Sequence, residues 1–187
     1  MKVIGFNCSP RKGGNTETLV KEVLNGAKEK GAEIKFFDLN SLSIKGCQAC
    51  MYCRGNDGCA IKDDMQSLYK EINEADGIVI GSPIYMYNVT AQSKAFIDRL
   101  FPYLDIRDYS SKIRKNSVFV ATQGNPDTNT FKSNIEISTN ALKLLGFDIK
   151  ELIIDGGNLE KDSVAQKKDV MDKAKKVGEN LVNAAKN

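Results

Sequence analysis

Lys2-Val3-Ile4-Gly5-Phe6-Asn7-Cys8-Ser9-Pro10-Arg11-Lys12-Gly13-Gly14-Asn15-Thr16 opens the chain with an apolar run that passes directly into a polar, glycine-containing turn. The run has the length and the Val, Ile and Phe content of a buried strand. Beyond the turn, Leu19, Val20, Val23, Leu24 and Ala27 fall on one helical face. Similar strand-like runs recur at residues 33–38, 77–82, 117–122 and 148–154. Between them, Met65, Leu68, Tyr69, Ile72 and Ala75 fit another helical face, and further helices are expected over residues 91–104, 131–145 and 160–185. Strand and helix alternating five times predicts an α/β fold: a doubly wound, three-layer sandwich with a five-stranded parallel sheet and helices on both faces.

Length and composition narrow the field. At 187 residues and 41% hydrophobic content, the chain is expected to form a single domain over residues 1–187. Residues 40–62 form the only stretch too long for a plain connection, and they hold four of the five cysteines. The chain runs straight into a strand with no basic leader and no membrane-length apolar segment, so a cytoplasmic protein without a membrane partner is expected. In a reducing compartment its cysteines read as ligands or reactive groups rather than disulfides. The net charge is only +3, with 27 Lys and Arg interspersed among 24 Asp and Glu, which argues against nucleic acid as a partner. No histidine is present, which removes the commonest general base and the Ser-His and Cys-His nucleophile pairs. A cofactor is therefore expected to carry the chemistry, with no catalytic side chain.

The first turn suits an anion. Ser9, Asn15 and Thr16 bring uncharged donors, Arg11 and Lys12 bring positive charge, and the helix start adds unpaired N–H groups. The turn lacks both the Gly-Lys-Ser/Thr ending of a magnesium-nucleotide loop and the G-x-G-x-x-G spacing of a dinucleotide loop, which leaves a single terminal phosphate. A plainer alternative is a polar connection capped by Asn15 or Thr16. In an open sheet, ligands bind beyond the strand ends where the strand order reverses, so the first, third and fourth loops should share a pocket. After the third strand, Pro83, Ile84, Tyr85, Met86 and Asn88 belong to an apolar and aromatic loop on which a flat ring could lie. After the fourth, Thr122, Gln123 and Gly124 offer amide and backbone groups to a ring edge. Together these loops describe an FMN site, although Tyr85 and Tyr87 could instead serve a core or a dimer interface.

The Ser9-Pro10-Arg11-Lys12 and Gly14-Asn15-Thr16 turn, the Ser82-Pro83-Ile84-Tyr85 segment and the Lys94-Ala95-Phe96-Ile97-Asp98-Arg99 helix resemble the NAD(P)H-dependent FMN reductases and their relatives, the iron-sulfur flavoproteins. The resemblance implies a flavodoxin-like fold with strand order 2-1-3-4-5, an FMN phosphate at Ser9, Arg11, Asn15 and Thr16, and a ring near Pro83, Tyr85, Met86 and Asn88. It also implies a homodimer or homotetramer. Cys8 and Tyr87 depart from the family pattern, and Tyr87 is placed to cover the flavin face.

Cys47, Cys50, Cys53 and Cys59 form C-x2-C-x2-C-x5-C. Compact runs of this kind hold iron-sulfur clusters, whereas structural zinc prefers two separated knuckles. The spacing favours 4Fe-4S, and the resemblance points the same way. Free thiols and zinc are the alternatives. Three functions remain open: an iron-sulfur flavoprotein taking electrons from a ferredoxin-like donor to a small-molecule acceptor, an NAD(P)H-dependent FMN or quinone reductase without a cluster, and a non-enzymatic FMN electron carrier.

Overall fold

Val3 and Ile4 are neighbours in the chain, both fully buried, yet they pack into different apolar clusters. Successive side chains of a strand point to opposite faces, so both faces of this strand have to be covered. Val79 and Ile80 divide in the same way, as do Val118 and Phe119. The computed structural model describes residues 1–184 of the chain. In chain order the elements are β1 (Lys2–Asn7), α1 (Asn15–Glu29), β2 (Glu33–Asp38), α2 (Tyr52–Gly55), α3 (Met65–Glu74), β3 (Gly77–Tyr85), β4 (Asn88–Val89), α4 (Ala91–Arg99), β5 (Leu104–Asp105), β6 (Ser110–Ser111), β7 (Lys115–Thr122), α5 (Lys132–Leu144), β8 (Phe147–Asp155) and α6 (Lys168–Ala184).

The main sheet runs β2-β1-β3-β7-β8, with every neighbouring pair on this path parallel. This is the flavodoxin-like order expected from the sequence, and it reverses direction between β1 and β3. On one face α1 and α6 contribute Leu19, Val20, Val23, Val177 and Leu181 to one cluster, while Met65, Leu68, Phe96 and Leu142 from α3, α4 and α5 build the other. No described helix is long and apolar enough to cross a membrane.

The structure redraws several expected boundaries. The 77–82 strand continues to Tyr85, because Ser82 and Pro83 still pair with Ala121 and Thr122. The expected loop beyond it is a tight antiparallel hairpin, in which Ile84 pairs with Val89 and Tyr85 with Asn88. Its two turn residues, Met86 and Tyr87, both adopt positive φ (45° and 70°), as a primed two-residue turn demands. The 91–104 helix stops at Arg99, since Pro102 cannot donate a helical hydrogen bond and the chain instead forms a tight turn over Phe101–Tyr103. The 160–185 helix begins only at Lys168, because residues 158–164 are held by side chains of α1 and the preceding loop. Its expected last residue, Ala185, lies outside the described residues.

α1 and α6 approach each other through Gly26 and Gly178. A Cβ on Gly26 would overlap the Lys175 carbonyl oxygen, and one on Gly178 would overlap the Val23 carbonyl oxygen. Both obstacles are backbone, so relief requires the helices to separate. An exposed helical Gly→Ala normally gains about 1 kcal/mol. Here Gly26→Ala and Gly178→Ala are each expected to lose about 2–3 kcal/mol through overpacking, seen as a lower urea midpoint at unchanged slope; an unchanged or raised midpoint would contradict this packing.

Candidate functional site

The C-terminal ends of β1, β3 and β7 face an open cleft of about 570 Å³, within the range of small-molecule sites. It forms at the point of reversal because the connections from β1 and β3 diverge there to opposite sides. Ten sequence-predicted residues line it: Ser9, Arg11, Asn15, Thr16, Pro83, Ile84, Tyr85, Met86, Thr122 and Gly124. Two do not. Lys12 is exposed outside the lining, and Asn88 turns its side-chain oxygen onto the N–H of Val89 at 2.8 Å. Gly14 and Gln123, from the same quoted turns, also line the cleft, as do Asn158 and Leu159 from the loop after β8. That last pair was missed, although the Gly156-Gly157-Asn158 turn directly after a strand was the available signal.

Hydrogen bonds lock these loops to one another. Thr16 and Thr122 hydroxyls meet at 2.7 Å, joining the first and fourth loops. Thr90 donates its hydroxyl to the Cys8 carbonyl oxygen at 2.7 Å, joining the first to the third. The Asn15 amide donates to the Glu160 carbonyl oxygen at 2.7 Å and accepts from the Val164 N–H at 3.1 Å. Asn15 therefore anchors the loop after β8, and its side chain is engaged with backbone instead of standing free to donate to an anion. Arg11 rests on the same loop, donating to the Leu159 carbonyl oxygen at 2.8 Å from an exposed position.

The polar end of the cleft is positive in character. α1 starts from Gly14, and no side chain caps it. Unpaired N–H groups in a first helical turn, together with the helix dipole, amount to about half a positive charge. Gly13, at φ +63°, donates its N–H to the Glu17 carboxylate at 2.6 Å, which fixes the turn. Burial works against the Glu17 charge, but the Lys21 ammonium and the Gly13 N–H outweigh it and hold the carboxyl below its usual range. The opposite end is apolar and aromatic. Tyr85 is half exposed and Met86 93% exposed at the lip, and Tyr87 packs edge-on against Phe131 with ring centroids 5.0 Å apart. Tyr87 thus leans on the start of α5 and is not among the lining residues. At the floor, Gln123 is 3% exposed and donates to the Asn125 and Asp127 carbonyl oxygens, while its own side-chain oxygen is buried without a partner among the described residues. An amphipathic ligand with an anionic tail and a flat, hydrogen-bonding head matches this lining.

The cysteine loop lies apart, against the end of α4. Cys47, Cys50, Cys53 and Cys59 are free thiols that line one small hollow of about 20 Å³, room for about one water. Ala49 and Met51 within the loop take positive φ (49° and 58°), a left-handed conformation costing about 1–2 kcal/mol per residue. Among the described residues no group of three or more cysteines or carboxylates is arranged to hold a metal ion. The donor set still fits a thiophilic centre in its chemistry, because all four cysteines line the same hollow. Both ends of the loop are tied by one ion pair. Arg99, fully buried, grips Asp63 with two nitrogens at 2.6 and 2.9 Å and also donates to the Lys45 carbonyl oxygen at 2.8 Å. Asp63 in turn accepts the N–H groups of Lys45 and Met65. Burial opposes the Asp63 charge, yet the Arg99 guanidinium and these N–H groups hold its carboxyl below the usual range. Cys8 differs from the other cysteines: it is fully buried in the core, and burial pushes its thiol up to about 12.

Comparison with known proteins gives the cleft a setting. An iron-sulfur flavoprotein of Methanocaldococcus jannaschii is 44% identical over 102 residues, which is 54% of this chain and 53% of that protein. The chain thus spans about half the length of the curated relatives it matches. A solved NAD(P)H:quinone oxidoreductase from Methanothermobacter marburgensis superposes with a TM-score of 0.72 at 19% identity, covering 96% of this chain and 98% of that one. An archaeal flavodoxin superposes with a TM-score of 0.62 at 15% identity over the full length of both chains. At these identities the solved structures support the fold alone. The family model described as NADPH-dependent FMN reductase matches residues 1–128, which carry β1, β3, β7 and the three loops that open on the cleft, and on that match the chain belongs to the NADPH-dependent FMN reductase family.

Proposed function

We propose that the chain is an FMN-dependent electron-transfer oxidoreductase, with FMN in the cleft and a 4Fe-4S cluster held by Cys47, Cys50, Cys53 and Cys59. The observation that carries the FMN half is the pairing of an uncapped helix start with an apolar, aromatic opposite wall inside one cleft of about 570 Å³. In this reading the phosphate sits at Ser9, Arg11 and the opening N–H groups of α1, with Asn15 acting through the loop it holds. The ring lies by Pro83, Ile84, Tyr85 and Met86, and Thr122, Gln123 and Gly124 face its polar edge. Bound FMN supplies exchange between two-electron and one-electron chemistry. The chain's own residues orient and enclose the flavin, with Gln123 in the lining beside it. Nothing in this scheme calls for a side-chain acid or base.

The cluster half draws on the four-cysteine spacing, on their shared hollow and on the name of the 44%-identical relative. In that case electrons arrive from a ferredoxin-like carrier or from NAD(P)H and leave to a small acceptor, in a reducing cytoplasm. A homodimer or homotetramer fits the exposed Met51, Tyr52 and Leu144 side chains beside the cysteine loop. One observation favours a second reading, an NAD(P)H-dependent FMN or quinone reductase without a cluster: the thiols are not gathered into a metal-holding arrangement. A flavin and iron assay on anaerobically purified protein separates the two.

The first reading expects flavin absorption with about four irons per chain; full flavin with no iron would leave the second. Cys50→Ala is expected to abolish the iron while retaining FMN, and parallel loss of both would contradict two separate sites. Arg11→Ala removes a charge-assisted hydrogen bond worth about 1.5–3 kcal/mol, so FMN affinity by fluorescence titration should fall roughly tenfold to a hundredfold; unchanged affinity would place the phosphate elsewhere. In iron-stripped, folded protein, iodoacetamide should modify the four loop cysteines and spare Cys8 until the chain is denatured, as read by mass spectrometry of peptides.

A further inference from the structure

Two arginines border the cysteine loop, and their charges stand in different states. The Arg99 charge is answered in full by Asp63, through a two-pronged pair in which both side chains are buried. That unit is electrically balanced, and its task is to close the loop. Arg54, between Cys53 and Gly55, has no such answer. Among the described residues it makes no ion pair: its guanidinium donates to the carbonyl oxygens of Leu104 and Phe101, lies 4.0 Å over the Phe101 ring, and sets one nitrogen 3.5 Å from the Cys53 sulfur. Its Nε is buried without a partner, as is the Nε of Arg99. The carboxylates that line the hollows on either side of it are engaged elsewhere. Asp105, which lines a hollow with Arg54, is held by Arg107, and Asp98 beside the cysteine hollow is held by Lys94 at 2.6 Å.

A cation drawn in from water without a counter-charge is costly, so its natural complement is an anion that arrives with the site's occupant. On the side of its 3.5 Å contact with the Cys53 sulfur, that part falls to the loop thiolates and whatever they bind. From this we propose that Arg54 is a positioning and tuning residue of the cysteine-held centre, supplying a positive charge with no ion-pair partner among the described residues that stabilises its reduced, more negative state, while the Arg99–Asp63 pair fixes the loop ends. This inference rests on the cluster reading above. The step it concerns is a one-electron reduction, with dithionite as the electron source in the titration below, and no bond to a protein atom forms or breaks. Charge near a cluster and hydrogen bonds to its sulfurs are recognised levers on its potential.

The test is an anaerobic redox titration of iron-loaded wild type, Arg54→Gln and Arg54→Lys, following the cluster by electron paramagnetic resonance and the flavin by absorption. Arg54→Gln keeps a donor and loses the charge. It should shift the cluster's oxidised-to-reduced ratio about tenfold toward oxidised at the wild-type midpoint, equal to about 59 mV for a one-electron couple. Arg54→Lys should stay within about threefold of wild type, and the flavin midpoint should stay put in both. Loss of iron from Arg54→Gln alone would also support the charge role, because Arg54→Lys would then rescue assembly. An unmoved cluster midpoint in iron-loaded Arg54→Gln overturns the proposal, as does equal loss of iron from both variants. Wild-type protein that takes up no iron under anaerobic reconstitution overturns the cluster reading itself, and the inference with it.

Discussion

Gly14 begins α1 without offering a side chain to accept from the N–H groups behind it, and this happens at the place where the strand order reverses. Each half of that coincidence is ordinary alone: helices often lack a cap, and open sheets always have a reversal. Together they set about half a positive charge at the mouth of a cleft whose other walls come from β3 and β7. The cross-ties follow from the same geometry. Thr16 reaches Thr122, Thr90 reaches the Cys8 carbonyl oxygen, and Asn15 reaches Glu160 and Val164. The loops therefore stand in fixed relation before any ligand enters, which lowers the ordering cost of binding.

The cysteine loop is organised on a different principle. It carries little secondary structure; Leu42, Ile44 and Cys59 pack on the core, the Gln66 amide holds the Cys59 and Ile61 carbonyl oxygens, and charge fixes its two ends. Arg99 and Asp63 clasp both of its ends from the terminus of α4, and removing one member of such a buried pair costs about 3–5 kcal/mol. Between the clasps, two left-handed non-glycine residues and a hollow of about 20 Å³ describe a loop folded onto itself. The chain thus has a rigid cleft joined by neutral hydrogen bonds and a loop held by charge, side by side on one scaffold.

How far these features were readable from residues depends on the range of the interactions that make them. The alternation of Val3 with Ile4 and of Val118 with Phe119 carries the layers directly, because burial on two faces leaves its mark on neighbouring residues. The turn from Ser9 to Thr16 was equally legible, as its glycines and donors are local. The stretch from Ser82 to Thr90 reads as a loop in the sequence; the pairing of Pro83 with Thr122 that keeps its first part in the sheet lies far away in sequence. The helical pattern over 160–167 was real but lost to Asn15, whose amide competes for the backbone there. The Arg99–Asp63 clasp left no signal at all, since 36 residues separate its members and each alone resembles a surface charge. For Asn158 and Leu159 the Gly156-Gly157-Asn158 turn marks a loop, but its place in the cleft is set by distant partners, Arg11 in the first turn and Asn15 in α1.

The central claim, that an anionic tail is held where β1 hands over to α1, is tested most directly by comparing the affinities of FMN and riboflavin for flavin-free protein by calorimetry. The two ligands share the ring and the polyol and differ only in the phosphate. Anchoring at the uncapped helix start predicts that FMN binds about a hundredfold or more tighter, a difference of about 2.7 kcal/mol, and that the gap narrows as salt rises. Equal affinities at low salt would contradict it, whatever the ring contacts prove to be.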